Sequence, residues 1–101
     1  MMKLRINPLV VADLKDIRDY IAEDNAEKAR ETIKKIYSVF EKLQIFPGVG
    51  TELSKRVSFS TDYLYLAWRD YIILYKIRDD FIEIFRVISR YQDITRIFIE
   101  L

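Results

Sequence analysis

The sequence predicts a single α+β domain over residues 1–101: an N-terminal strand, an antiparallel helical hairpin packed on one face of a mainly antiparallel sheet, and a short C-terminal tail. Three observations carry that expectation. Apolar residues recur at helical spacing from Val10 to Leu43, and β-branched and aromatic residues crowd three runs between Tyr63 and Ser89. The chain also holds only two Gly and two Pro, too few for a disordered segment or a turn-dense sandwich. With half of its residues hydrophobic, a chain of this length supports one modest core, and it shows neither a linker nor a repeat at solenoid period.

Lys3 to Asn7 alternates well enough for a short first strand. Asn7-Pro8 then reads as a helix start, with Asn as the N-cap and Pro at the first helical position. Val10, Leu14, Ile17 and Ile21 form the apolar stripe of a helix ending near Glu23, with Asp13, Lys15, Asp16, Arg18 and Asp19 largely on its other side. Asn25 is placed to cap a second helix, along which Ala29, Ile33, Ile36, Phe40 and Leu43 step by four and three. So short a junction makes the two helices antiparallel neighbours. Phe46-Pro-Gly-Val-Gly50 stops the second helix and opens a loop to about Thr61. Tyr63–Trp68, Tyr71–Arg78 and Phe81–Ser89 read as strands. In the tail, Ile94, Ile97, Phe98 and Leu101 fall at i, i+3, i+4 and i+7, a last turn of helix or a strand-like end.

Asp79-Asp80 is a plausible two-residue turn joining the last two strands, because Asp tolerates positive φ and bonds its own backbone. Lys76 then sits opposite Glu83, a favourable cross-strand charge pair. Continued without interruption, that register puts Ile73, Tyr75, Ile77, Ile82, Ile84 and Ile88 on one face and Ile72, Leu74, Phe85 and Val87 on the other. Both faces are apolar. One packs on the helices, and the second needs a cover, either the tail or a partner chain. The same register turns Arg86 toward the helices, so either it has an acid or carbonyl partner, such as an acid of the first helix, or the register does not run that far.

Composition narrows the chemistry. No Cys and no His removes disulfides, thiol nucleophiles, zinc sites of the usual kind and the commonest general base, so any catalysis would fall to Arg, Lys, Tyr, Asp or Glu. No metal or small-molecule cofactor is implied. Gly48 and Gly50 lack the pattern of a phosphate loop. The net charge of +1 gives little global field to attract a polyanion. The N-terminus lacks the apolar run of a signal peptide, and no segment approaches a membrane span, so a soluble cytoplasmic protein is expected.

Several segments in order carry a resemblance. Pro8 before Asp13-Leu-Lys-Asp-Ile17, Tyr20-Ile-Ala-Glu-Asp-Asn25, Leu43-Gln-Ile-Phe-Pro47 with Gly50, Tyr71-Ile-Ile-Leu-Tyr75 and Phe85-Arg-Val-Ile-Ser-Arg-Tyr-Gln-Asp93 resemble the RelE/ParE superfamily of toxins from bacterial type II toxin–antitoxin modules. The match covers nearly the whole chain. It implies a growth-inhibiting toxin of the plasmid-stabilisation type and a cognate antitoxin that neutralises it, in a heterotetramer or larger complex. It also implies an antitoxin surface over the second sheet face, at Ile72, Leu74, Phe85, Val87 and Phe98.

Two activities occur within the superfamily, and the departures separate them. The ribosome-dependent mRNA endonucleases typically carry an Arg in the strand motif, where this chain has Ile72. Many of them also carry a His and an Arg near the sheet end, where it has Ser89 and Tyr91. Cleavage at a 2′-hydroxyl needs a proton acceptor, stabilisation of the phosphorane and protonation of the leaving oxygen. Arg86, Arg90 and Tyr91 are a thin set for that work. The resemblance therefore favours the ParE-like branch, understood to poison DNA gyrase by binding, over mRNA cleavage; a non-toxic relative retaining only the antitoxin surface is the third reading. Candidate target-binding residues are Lys55, Arg56, Arg69, Arg86, Arg90, Tyr91 and Gln92. Against them stand ordinary roles: Lys55-Arg56 as loop solubility, Asp93 as a helix cap, and the acids Asp13, Asp16 and Glu23 as a solvated helix face. Trp68 and the tyrosines at 63, 65, 71 and 75 read as packing more than base stacking.

Overall fold

The computed structural model describes residues 1–99. Its elements are β1 (Lys3–Ile6), α1 (Pro8–Ala22), α2 (Ala26–Ile45), β2 (Thr51–Glu52), β3 (Leu64–Trp68), β4 (Tyr71–Ile77), β5 (Phe81–Ser89) and α3 (Ile94–Ile99). Two 3-10 turns, Pro47–Val49 and Leu53–Lys55, flank β2. Leu101, expected to extend the apolar spacing of the tail, lies outside the described residues.

Local chemistry fixes the helix starts. Asn7 accepts the Leu9 amide through its side chain at 2.9 Å with Pro8 at the first helical position, and Asn25 accepts the Lys28 amide at 2.9 Å. The apolar stripes face the sheet, burying Val10 and Leu14 of α1 and Ala29, Ile36, Phe40 and Leu43 of α2. Each large side chain so buried contributes about 1.5–3 kcal/mol.

The five strands run in the order β1-β5-β4-β3-β2, with β1 parallel to β5 and the other pairs antiparallel. The segment expected as continuous loop therefore supplies an edge strand, since Thr51 and Glu52 pair with Tyr65 and Leu64. The loop before it is held by a buried phenol. Tyr75 Oη donates to the Pro47 carbonyl at 2.7 Å and accepts the Gly50 amide at 2.9 Å.

The expected hairpin register holds near the turn, where Ile77 faces Ile82, Lys76 faces Glu83 and Tyr75 faces Ile84. Above it a bulge intervenes, so that Leu74 faces Arg86 and Phe85 has no partner on β4. One extra residue switches the face of the strand beyond it. Val87, expected on the far face, joins the helix-side core with Ile73, Tyr75, Ile82 and Ile84, while Ile88, expected on the helix side, packs on the far face. Ile77 belongs to neither core and is 41% exposed beside the turn.

The far face is covered by the tail. Ile94 and Ile97 of α3, with Leu53, close over Ile72, Leu74, Phe85 and Ile88 as a second core. The Phe98 ring lies 5.3–5.5 Å from those of Phe59, Tyr63 and Phe85. Asp93 starts α3 as expected, its carboxylate accepting the Thr95 amide at 3.0 Å. Among the described residues, no helix is long and apolar enough to cross a membrane.

Candidate functional site

Two turns meet at one end of the sheet. The β3–β4 connection is the two-residue link Arg69-Asp70, and Arg69 has a φ of 54°, the one positive value for a non-glycine among the described residues. That conformation costs roughly 1 kcal/mol. Its guanidinium lies 4.7 Å from the Trp68 ring centroid, and Trp68 stacks on Tyr71 with centroids 6.5 Å apart. The second turn follows β5. There Gln92 Oε1 accepts the Ser89 amide at 2.8 Å, Ser89 Oγ accepts the Tyr91 amide at 3.2 Å, and the Arg90 amide reaches across to the Asp70 carbonyl at 2.9 Å. The bond between the turns makes them one platform.

α1 crosses beside this platform and is fastened to β5 by charge. The Arg86 guanidinium donates through Nε and Nη2 to the two carboxylate oxygens of Asp13, each at 2.8 Å, and Asp13 Oδ2 also accepts the Val87 amide at 2.9 Å. β1 ends at Ile6 opposite Ile84, so beyond that point β5 has lost its parallel neighbour. The Asp13 carboxylate takes over a backbone donor that the ended strand leaves unpaired. The side chains are 20% and 11% exposed, and the carboxylate bonds raise the Arg86 pKa above its already high ordinary value. Arg86 thus has the acid partner from the first helix that the sequence called for. Asp13 is not the solvated acid expected of it.

Between α1 and the platform lies an open groove of about 460 Å³, lined by Asp13, Asp16, Tyr20, Asp70, Tyr71 and Arg86 and, from the second turn, by Ser89, Tyr91 and Gln92. Burial, the Asp70 carboxylate and the Tyr20 phenol, in that order, raise the Tyr71 pKa, so its hydroxyl is a neutral donor at physiological pH. Of the expected target-binding residues, Arg86, Tyr91 and Gln92 come together here. Arg69 lies in an adjoining depression with Asn25, Lys28 and Thr32, and the two hollows share Tyr20, Asp70 and Tyr71. Arg90 is exposed in the second turn. Arg56 lies over the Tyr65 ring at 5.2 Å and shares a small cleft with Gln92 and Asp93, while Lys55 Nζ is 3.7 Å from the Glu52 carboxylate. Ile72, Leu74 and Phe85 lie beneath α3 with Phe98 beside them, and Val87 lies on the opposite face.

Residues 4–94 match the family model described as ParE toxin of type II toxin-antitoxin system, parDE. The chain belongs to that family. It is a toxin of a type II toxin–antitoxin module, and a toxin of this family is paired with an antitoxin. The fold agrees: a solved structure described as the chromosomal ParDE TA system from P. aeruginosa is similar at a TM-score of 0.72, with 22% identity over 88% of this chain and 96% of that one. Comparison with curated proteins gives no match.

Asp13, Asp16, Tyr20, Asp70, Tyr71 and Ser89 of this ParE toxin's groove are not among the residues expected to bind the target. Asp13 had a usable signal. It falls three residues after Val10 and four before Ile17, on the margin of the buried stripe, where an acid needs a partner. Among the described residues, no group of three or more acids is placed to hold a metal ion.

Proposed function

We propose that this toxin arrests growth by binding DNA gyrase and poisoning it, with no catalytic step of its own. The observation that carries the proposal is the state of Arg86. It is the cation of the groove, and both of its inward donors are taken by Asp13. A phosphodiester in that groove would meet Asp16 and Asp70 as well, which repel it, and the chain has no His to move a proton. Stabilising a phosphorane calls for free cations aimed at the reacting oxygens. Cleavage by Arg86, Arg90 and Tyr91 would first require Arg86 to leave its carboxylate.

On the same reading the target surface is the platform, with Tyr91, Gln92 and Arg90 at its centre and Lys55, Arg56 and Arg69 around it. On this reading the antitoxin neutralises the toxin in the cytoplasm, in a complex for which a heterotetramer is the proposed form. If it uses Ile72, Leu74, Phe85 and Phe98, it must lift α3 to reach the first three, since they are buried. Val87 would not be reached from that side. The test is a supercoiling assay with purified toxin and gyrase, followed by detergent trapping of cleaved DNA. Inhibition with trapped double-strand breaks is expected. Unimpaired supercoiling with no trapped DNA at micromolar toxin, alongside transcript cleavage on ribosomes, would overturn it in favour of the nuclease.

A further inference from the structure

We propose that the groove between α1 and the two turns takes a basic polypeptide segment of the toxin's protein target, gripping an arginine or lysine side chain. This rests on the reading that the toxin acts by binding a protein, and it adds the chemistry of the contact. The groove's charge is lopsided. Asp13 and Arg86 cancel, while Asp16 and Asp70 have no ion-pair partner among the described residues, leaving two uncompensated negative charges on the lining. Arg69, a cation expected at the target surface, is held over the Trp68 ring and lines the adjoining hollow.

Aromatic faces complete the site. Tyr20 is 76% and Tyr91 82% exposed, and Tyr71 lies between carboxylate and phenol neighbours on the same lining. Free carboxylates among tyrosine rings fit a guanidinium or ammonium group twice over, by charge-assisted hydrogen bonds and by cation–π contact. Exposed Tyr is also a residue type that dominates binding energy when an interface covers it. The volume of about 460 Å³ admits a side chain with its flanking backbone. A nucleic acid is disfavoured by the same charges that favour the basic segment.

The test reverses the charge. Asp16→Lys and Asp70→Lys, singly and together, are made in the full chain and induced without antitoxin, because growth arrest reads the target whichever protein it is. Both side chains are exposed, so folding should be retained. Unchanged melting temperature and circular dichroism verify it, and Asp16→Asn with Asp70→Asn serves as a milder pair. We expect the double Lys variant to need about tenfold more toxin for arrest, and wild-type binding to immobilised gyrase to weaken between about 50 and 300 mM salt. Arrest that is undiminished, or strengthened by the lysines as RNA binding would require, overturns the proposal. So does loss of antitoxin binding in the well-folded variants, which would give the groove to the antitoxin. If gyrase is poisoned equally by wild type and variant, the groove assignment falls and the gyrase reading stands. If wild type leaves gyrase untouched while arrest still depends on Asp16 and Asp70, the reverse holds. A wild-type chain that causes no arrest overturns both.

Discussion

Replacing Asp13 by Ala should unfasten α1 from β5, and the structure bounds the cost. The change orphans three donors at once: two on the Arg86 guanidinium and the Val87 amide, whose residue is 2% exposed. Breaking a fully buried ion pair costs about 3–5 kcal/mol, and leaving a buried amide unpaired costs about 1–3. Arg86 keeps 20% exposure, so water restores part of its solvation, and the sum is discounted to roughly 2–4 kcal/mol. Arg86→Met removes the cation but leaves Asp13 holding the Val87 amide, so its cost should be smaller, about 1–3 kcal/mol. Urea unfolding of both single variants and the double variant gives the cycle, with an expected coupling of about 1–2 kcal/mol. If Asp13→Ala costs less than about 0.5 kcal/mol, or if the cycle is additive within about 0.3–0.5, Asp13 is not the fastening and the argument that Arg86 is unavailable to a phosphate loses its basis.

Gly50→Ala should destabilise by about 1–3 kcal/mol in urea melts, because a Cβ there would run into Tyr75 Oη, into Tyr75 Cε1 at 2.8 Å and into the Tyr65 carbonyl at 2.9 Å. Gly48→Ala, which meets nothing within 4 Å, should be neutral or slightly stabilising. Tyr75→Phe leaves the Pro47 carbonyl and Gly50 amide without their partner, for an expected loss of about 1–3 kcal/mol at neutral pH. The same variant tests a pH dependence. Burial raises the Tyr75 pKa above the ordinary phenol value of 10.0, so above that pH the unfolded chain has lost a proton the folded chain still holds. Stability should fall as pH rises past 10, and less steeply in Tyr75→Phe. Phe98→Ala removes the ring that meets Phe59, Tyr63 and Phe85, and should raise binding of an apolar dye as α3 loosens, with a stability loss of roughly 3 kcal/mol by thermal melting.

How far the chain could be read ahead of its structure depended on whether each feature had a local cause. The helix starts did, since Asn7-Pro8 and Asn25 satisfy amides two and three residues away. The hairpin register was legible from the Asp79-Asp80 turn as far as Tyr75, where the Lys76 and Glu83 pairing sits. It failed at Phe85 because the bulge there carries no glycine, Arg86 fits an uninterrupted register too once an acid of α1 pairs with it, and an apolar residue suits either side of a sheet that is buried on both faces. The two-residue β2 was invisible for a related reason: Thr51-Glu52 is too short to show alternation, and it pairs only because Tyr75 and Leu53 anchor the loop on either side. At the groove, Arg86 of β5 and Tyr91 and Gln92 of the second turn are residues expected from the sequence to bind the target, whereas Asp16, Tyr20, Asp70 and Tyr71 are not. Those four reach the groove from α1, from the β3–β4 turn and from the start of β4, so only tertiary packing brings them together. The bulge and the site are linked through Asp13. Past the end of β1, the strand that shifts by one residue at Phe85 presents the Val87 amide and the Arg86 side chain to the same carboxylate of α1. The irregularity that defeats the alternation rule is therefore also what neutralises the cation of the groove and leaves the lining acidic.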